Sequence, residues 1–384
     1  MSKAVKAAGS DKPASPSRRK FAAGAAAAAA LAVLPLAGAR GNGGNGGSGE
    51  SWRAPAEWEP HAGTLMAFPW DPSDAWGGKL KAVQAEVAAV ANAIARFEPV
   101  IMIANPGRAA DAIAMCGPGV TVIEYPINDC WARDTAPIFV LNQQRSRLQG
   151  RDFQFNGWGN KYPYDKDDVM PVGACAYLGV EHTDVAMVLE GGAVITDGQG
   201  TLIATEECLL NPNRNPGMSK SQIEATLLAA YGASKLIWIP YGLEYDDITN
   251  GHIDLVASYV APARLLIYTA PGTGRGDEAR MAANKAVLEA ATDARGRALE
   301  LVEIHQQPRF TVGRNQVLTF SYTNYYRTNG GIVVPIANVP DDAAALAVIQ
   351  ALYPDREVIG VPARTLAWGG GGVHCITQHI PATN

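Results

Sequence analysis

The sequence predicts an α/β fold assembled from repeated units of two strands, a helix and a strand. Three observations carry that prediction. From Val100 to Tyr125 an apolar run, a short helical pattern and an alternating run follow one another. A related order returns further along the chain, with a period of roughly 60 to 80 residues, longer than the usual solenoid repeats. The chain has 384 residues, 47% hydrophobic and 18% charged, which suffices for a large core.

Each element has a local reason. Thr64–Phe68 is an apolar run after a loop rich in proline and tryptophan, and predicts a buried strand. Between Lys79 and Phe97, Leu80, Val83, Val87, Val90, Ala91 and Ile94 recur at helical spacing. Val100–Ala104 predicts a strand ended by the turn Asn105-Pro106-Gly107. Ala109–Cys116 predicts a short helix and Val120–Tyr125 a strand. Ala186–Ile195 and Thr201–Thr205 predict strands joined across Asp197-Gly198-Gln199-Gly200. Ser219–Tyr231 predicts a helix, with Ser219 as cap and Gln222 three residues on. Lys235–Ile239 predicts a strand. Asp254–Val260 and Ala263–Thr269 predict two strands, Asp277–Ala290 a helix and Leu299–Ile304 a strand. Val317–Asn324 and Gly331–Pro335 predict strands, Asp341–Leu352 a helix and Glu357–Val361 a last strand. Counted from Thr64, the body holds about five units.

The N-terminus is a separate matter. Ser17-Arg18-Arg19-Lys20-Phe21 precedes an alanine-rich run ending in Ala37-Gly38-Ala39. That is the pattern of a twin-arginine export signal over residues 1–39, and it predicts a periplasmic protein. The run is too short and too alanine-rich for a permanent membrane span. Residues 40–50 read as a glycine-rich tether, and 51–384 as one catalytic domain. The formal net charge of −5 and the lack of a Lys/Arg cluster in the body argue against a nucleic-acid partner. The five cysteines match no zinc spacing, and an odd number leaves at least one thiol unpaired.

Several polar stretches interrupt strong apolar runs. Trp368-Gly369-Gly370-Gly371-Gly372-Val373-His374-Cys375 sets a thiol after four bare backbone positions. That suits either a buried structural cysteine or a nucleophile meeting a flat ligand. Asn128-Asp129-Cys130-Trp131-Ala132-Arg133-Asp134 packs charge behind a strand, as an active-site loop does or as a turn closed by an Arg133–Asp134 pair would. Glu190 lies inside an apolar run, and a buried carboxylate requires a cation. His252 and Asp254 are two apart; at the start of a strand both would face one side. One thiol, one imidazole and three carboxylates suggest a cationic ligand. A guanidinium is planar, permanently charged and open to bidentate clamping, and its carbon is then presented to a thiolate.

Pro55-Ala56-Glu57-Trp58-Glu59-Pro60-His61, Asn128–Asp134, Phe155-Asn156-Gly157-Trp158-Gly159, Leu189-Glu190-Gly191-Gly192, Asn213-Arg214-Asn215-Pro216, Thr249-Asn250-Gly251-His252-Ile253-Asp254 and Gly370–Gln378 occur in this order. With these motifs the sequence resembles the agmatine deiminase family, related to the bacterial peptidylarginine deiminases within the guanidine-modifying (pentein) superfamily. The resemblance runs from about Trp52 to the C-terminus. It implies a five-bladed α/β propeller (pentein fold) of ββαβ repeats. It further implies hydrolysis of agmatine to N-carbamoylputrescine and ammonia, a step toward putrescine, without metal or cofactor. By the same resemblance Cys375 is the nucleophile and His252 the acid/base. Asp134 and Asp254 form the guanidinium clamp with Glu190 alongside, and Trp131 walls the methylene chain.

The acidic run Glu244-Tyr245-Asp246-Asp247 offers Asp247 as a partner for the free amine, or is simply a solvated loop. The export signal and the loop Asp71–Lys79, which lacks the Asn-Trp-Arg run of agmatine deiminases, point to an alternative: an exported enzyme acting on arginine side chains of peptides. A propeller-shaped binding protein without catalysis is a third reading, against which the intact Cys, His and carboxylate set argues. A homo-oligomer is compatible with all three.

Overall fold

Strands form where the apolar runs occur, and each sheet is completed by a helix that carries the chain back. The computed structural model describes residues 50–312, 316–318 and 320–384. The predicted export signal, and the predicted tether apart from Glu50, lie outside the described residues.

Five sheets of three or four strands repeat one plan. In the first, His61–Ala67 runs parallel to Val100–Ala104 across the helix Leu80–Ile94, and Val120–Glu124 adds a further parallel strand. Its antiparallel partner is Thr377–Pro381, so the end of the chain closes the sheet that its beginning opened. In the second, Ile138–Asn142 pairs antiparallel with Leu148–Gln154, which runs parallel to Glu181–Val188 beyond the helix Met170–Leu178. The third joins Val194–Thr196, Thr201–Thr205 and Lys235–Ile239 around Lys220–Tyr231. The fourth joins Ala257–Ala261, Arg264–Tyr268 and Glu300–Ile304 around Gly276–Ala290. The fifth joins Tyr326–Arg327, Gly331–Ile336 and Glu357–Pro362 around Asp341–Leu352. Each sheet is an antiparallel pair followed by a parallel pair across a helix, the ββαβ unit. Five such sheets agree with the α/β propeller implied by the sequence motifs.

Local causes are plain. Leu80–Ile94 buries Val83, Val87, Val90, Ala91 and Ile94, the stripe its spacing predicted. Ser219 and Gln222 form a reciprocal capping box on Lys220–Tyr231. Asp197 Oδ1 accepts the N–H groups of Gln199 and Thr201 at 2.7 and 2.8 Å, which fixes the predicted hairpin turn. Residues Glu50–Asn384 form one compact unit. No helix among the described residues is long and apolar enough to cross a membrane.

Four expectations need correction. The single strand predicted over Ala186–Ile195 is two: Glu181–Val188 and Val194–Thr196 lie in different sheets. Glu190 is drawn out of the run by Arg214, and Gly191–Ala193 form a 3-10 turn. Val317–Asn324 is not one strand. Gln316–Leu318 ends in a small hairpin with Phe310–Val312, and Asn324 N–H bonds the Ser321 carbonyl at 3.2 Å to make a turn. The segment with His252 and Asp254 is a 3-10 turn over Ile253–Leu255, not a strand start, so period two does not apply. Of the second sheet the sequence reading holds only the end of Glu181–Val188; Ile138–Asn142 and Leu148–Gln154 are absent from it, the latter because Gly150 and the adjacent Arg151 and Asp152 break its apolar alternation.

Candidate active site

The same position in every sheet supplies the site. Asp134 lies shortly before Ile138–Asn142, Gly192 before Val194–Thr196 and Asp254 before Ala257–Ala261. Asn324 precedes Tyr326–Arg327 and Cys375 precedes Thr377–Pro381. These loops are buried, and their side chains meet.

Asp134 sits on the short helix Ala132–Thr135. Its Oδ1 accepts the Gly192 N–H at 3.0 Å and its Oδ2 the Trp158 Nε1–H at 2.9 Å. Arg133 does not pair with Asp134, as a simple surface turn would require; it pairs with Glu57 at 2.9 Å. His252 is held through its backbone. Asp246 Oδ2 accepts the N–H groups of Gly251 and His252 at 3.0 and 3.1 Å, and Oδ1 that of Thr249 at 3.0 Å. Its ring lies between carboxylates: Nδ1 is 3.8 Å from Asp134 Oδ1 and 4.0 Å from Asp254 Oδ1, and Nε2 is 3.8 Å from Glu190 Oε2.

Cys375 is buried on the 3-10 turn His374–Ile376. Its thiol lies 3.5 Å from Asp254 Oδ2, and Asn324 Nδ2 donates to Sγ at 3.3 Å. Asn324 Oδ1 accepts the His374 N–H at 3.0 Å, so one side chain fixes both the turn and the sulfur. The glycine run has a steric cause. A Cβ on Gly371 would lie 2.4 Å from Trp131, and one on Gly372 2.5 Å from Asn324 Oδ1. A methyl at Gly192 would meet His252 Nδ1 at 2.7 Å and Asp134 and Asp254 at 2.9 Å. The bare face of Gly192 therefore marks the point on which the three side chains converge.

Electrostatics follow from burial and neighbours. Burial disfavours the charged ring of His252, yet Asp134, the Cys208 thiol and Glu190 raise it well above the ordinary histidine range. Burial pushes Asp134 up to about 6, although His252 opposes the rise. Burial also works against Glu190 and Asp254, but Arg214 and His252 hold the first below its usual range and His374 holds the second. The Cys375 thiol is pushed well above the ordinary range by burial, then by Asp254 and Asp134. In the empty site it is a thiol, not a thiolate.

A front cavity of about 350 Å³ reaches Asp134 and Cys375, with His252 and Asp254 set behind its lining. It is lined by Asp134 and Cys375, by the aromatic rings of Trp131, Trp158 and Tyr162, and by Asp129. No lysine or arginine is among the residues lining it. Trp131 is fixed by its Nε1–H bond to Asp129 Oδ2 at 3.0 Å and by stacking on Trp76. A second cavity of about 630 Å³ lies behind Asp254 and His374 and does not include Cys375.

Five of the residues singled out from sequence thus come together: Cys375, His252, Asp134, Asp254 and Trp131. Two take other places. Glu190 is not in the cavity wall; its Oε1 accepts from Arg214 Nε at 2.6 Å, and it stands behind His252. Asp247 is exposed and does not line the cavity, because its neighbour Asp246 is the one turned inward to tie the His252 loop. Sequence reading gave no role to Glu57, Asp129, Trp158, Gly192, Arg214, Asn324 or His374. His374 bridges Asp254 Oδ2 and Glu57 Oε1 at 2.9 and 2.8 Å. Most of these stand inside the quoted motifs, but only the fold shows their partners.

The Porphyromonas-type peptidyl-arginine deiminase family model matches residues 53–381. The agmatine deiminase of Pseudomonas aeruginosa (strain LESB58) is 40% identical over 365 residues, covering 87% of this chain and 96% of that protein. The agmatine deiminase of Stutzerimonas stutzeri (strain A1501) is 39% identical over 355 residues, covering 85% and 95%. The solved agmatine deiminase of Enterococcus faecalis superposes with a TM-score of 0.82 at 31% identity, covering 87% of this chain and 98% of that one.

Gly192→Ala places a methyl where the three polar side chains converge. We expect turnover to fall by at least about a hundredfold with the melting temperature changed by no more than a few degrees. Steady-state rates and thermal melts of the variant check this; near-normal turnover would show that nothing has to occupy that point.

Proposed function

The chain belongs to the Porphyromonas-type peptidyl-arginine deiminase family, and from that premise we propose that it hydrolyses agmatine to N-carbamoylputrescine and ammonia. Deimination by a hydrolase is the family's chemistry; the choice of agmatine and the residue roles below are the proposal. One observation carries it: the Asp134 and Asp254 carboxylates and an imidazole nitrogen of His252 converge on one point, the Cys375 thiol lies 3.5 Å from Asp254, and Asp134 and Cys375 line a cavity without a cationic side chain.

Asp134 and Asp254 clamp the guanidinium in its plane, and Cys375 stands beside it. The bound cation offsets the two carboxylates that keep the thiol protonated, so Cys375 gives its proton to solvent when substrate arrives and takes one back when the product urea leaves. The thiolate adds to the guanidinium carbon. His252, charged before the reaction, gives its proton to the departing nitrogen, and ammonia leaves a thiouronium on Cys375. Neutral His252 then takes a proton from water, which adds to the same carbon and expels the thiolate. The product is a urea, which no longer carries the charge the clamp requires.

Specificity for agmatine rests on the cavity walls. Trp131, Trp158 and Tyr162 suit a methylene chain, and Asp129 offers a carboxylate for a terminal amine. Free arginine would bring an α-carboxylate into a cavity with no lysine or arginine in its lining. The export signal favours a second reading, an enzyme acting on arginine side chains in peptides.

Ammonia release from agmatine, free arginine and a blocked arginine peptide separates these readings. Agmatine should exceed both others in kcat/KM by about a hundredfold or more, and Cys375→Ser should lower the agmatine rate by at least about a thousandfold. A peptide preference would replace agmatine as the substrate, and an active Cys375→Ser enzyme would remove the sulfur from the mechanism.

The pH profile tests the clamp. Burial pushes Asp134 up to about 6, so on acidification through that region its carboxyl takes a proton and no longer holds a cation. On acidification through this region kcat/KM should fall by about tenfold per pH unit. A flat profile down to pH 5 would contradict Asp134 as the anionic clamp.

We also propose that residues 1–39 direct export through Arg18 and Arg19, with 51–384 as the catalytic domain. Fractionation of cells should place the protein in the periplasm, and Arg18→Lys with Arg19→Lys should retain it inside; identical distributions would end this part of the proposal.

A further inference from the structure

Behind the His252 imidazole lies a group the deimination chemistry does not use. Cys208 belongs to the short helix Glu206–Leu209, whose start is capped by Thr205: the Cys208 N–H bonds Thr205 Oγ1 at 3.2 Å. The helix presents the thiol to the rear of His252. Donor atoms of Glu190, Cys208 and His252 all lie within 4.8 Å of one another, and all three side chains are fully buried. Glu190 Oε2 and His252 Nε2 face each other at 3.8 Å, and neither makes a hydrogen bond within the protein. Buried polar atoms normally find partners. Two that make no hydrogen bond and face each other only at ion-pair distance, converging with a thiol, form a built donor set.

We propose that Glu190, Cys208 and His252 form an inhibitory site for a borderline-soft divalent cation such as Zn²⁺, on the side of His252 remote from the substrate cavity. One carboxylate oxygen, one sulfur and one imidazole nitrogen are a zinc-type ligand set. Tetrahedral bonds of about 2.0 to 2.3 Å place such ligands roughly 3.5 Å apart, close to the Glu190–His252 separation. The spacing escapes sequence rules because each ligand comes from a different loop. Arg214 does not block the site, since it bonds Glu190 Oε1 and leaves Oε2 free. Its positive charge is matched by Glu190. Binding displaces the thiol proton and the proton on Nε2, so the ion gains a thiolate and a neutral imidazole nitrogen.

The consequence is specific. With the ion on Nε2, Nδ1 is left as a weakly acidic N–H that neither delivers nor accepts the catalytic proton. Glu190 and Cys208 are absent from the cavity lining, so substrate does not compete for the site. Inhibition lowers kcat and is not relieved by more substrate. This consequence rests on the role assigned to His252; binding itself does not.

The test uses Co²⁺ and Zn²⁺ with the full chain, Cys208→Ser and Cys375→Ser. Co²⁺ should give a sulfur-to-cobalt charge-transfer band in the wild type and in Cys375→Ser, and none in Cys208→Ser. Zn²⁺ should inhibit the wild type without raising KM, and Cys208→Ser should need at least about tenfold more Zn²⁺. Cys208→Ala repeats both measurements should the serine variant fold poorly. No band in any variant, or a band lost in Cys375→Ser and kept in Cys208→Ser, overturns the proposal. A correct band pattern in a protein without deiminase activity would leave the site standing and remove only the activity reading.

Discussion

The buried charge around His252 and Asp254 is the constraint on which the rest depends. Asp134, Glu190 and Asp254 are three carboxylates packed out of water with the half-buried Glu57 beside them, and Arg133, Arg214, His252 and His374 are the cationic side chains set among them. Taking such groups from water is costly unless each finds a partner. The pairs Glu57–Arg133 and Glu190–Arg214 are close and direct, and His374 ties Asp254 to Glu57. The Asp134 side is the least compensated, which is why its carboxyl is raised toward neutrality while its neighbours are lowered. An incoming cation finds its best partner there. The neutral thiol beside it then has a reason to ionise, so that one positive and one negative charge enter the site together.

The fold makes this arrangement possible by using one loop position five times. Each sheet contributes the segment just before a strand of its antiparallel pair, where a rigid ladder begins and the backbone can still turn inward. Bare glycines let these segments touch. A side chain on Gly191 would strike the Arg133 carbonyl at 2.1 Å, so its absence lets the Glu190 and Asp134 loops approach. The C-terminal strand pairs with His61–Ala67 and brings Cys375 to the far end of the sequence's own beginning. His374 reaches Glu57 for the same reason.

Legibility in the sequence followed the range of the interactions. Strands and helices whose pattern is local were readable, such as Leu80–Ile94 and the capping box at Ser219. The need of Glu190 for a cation was also readable, because a carboxylate in an apolar run has few alternatives. That the cation is Arg214, and that the pair stands behind His252, was not: the two residues are joined only by packing. Leu148–Gln154 was missed because Gly150 and the adjacent pair Arg151 and Asp152 interrupt its apolar alternation. Asp247 was singled out from an acidic run, whereas the fold turns it to solvent and sets Asp129 in the cavity wall. Asn324 carries no motif of its own, and its bonds to Cys375 and Asp254 appear only once the last loops meet.

The central claim is that this cage requires a permanent positive charge, not merely a head-group of the right shape. N-carbamoylputrescine has the outline of agmatine with a neutral urea in place of the guanidinium. Calorimetric dissociation constants of both for Cys375→Ser, the variant in which the proposed mechanism stops turnover, compare charge at nearly constant shape. Agmatine should bind tighter by about a hundredfold or more, roughly 2.7 kcal/mol. Equal affinities would contradict the account.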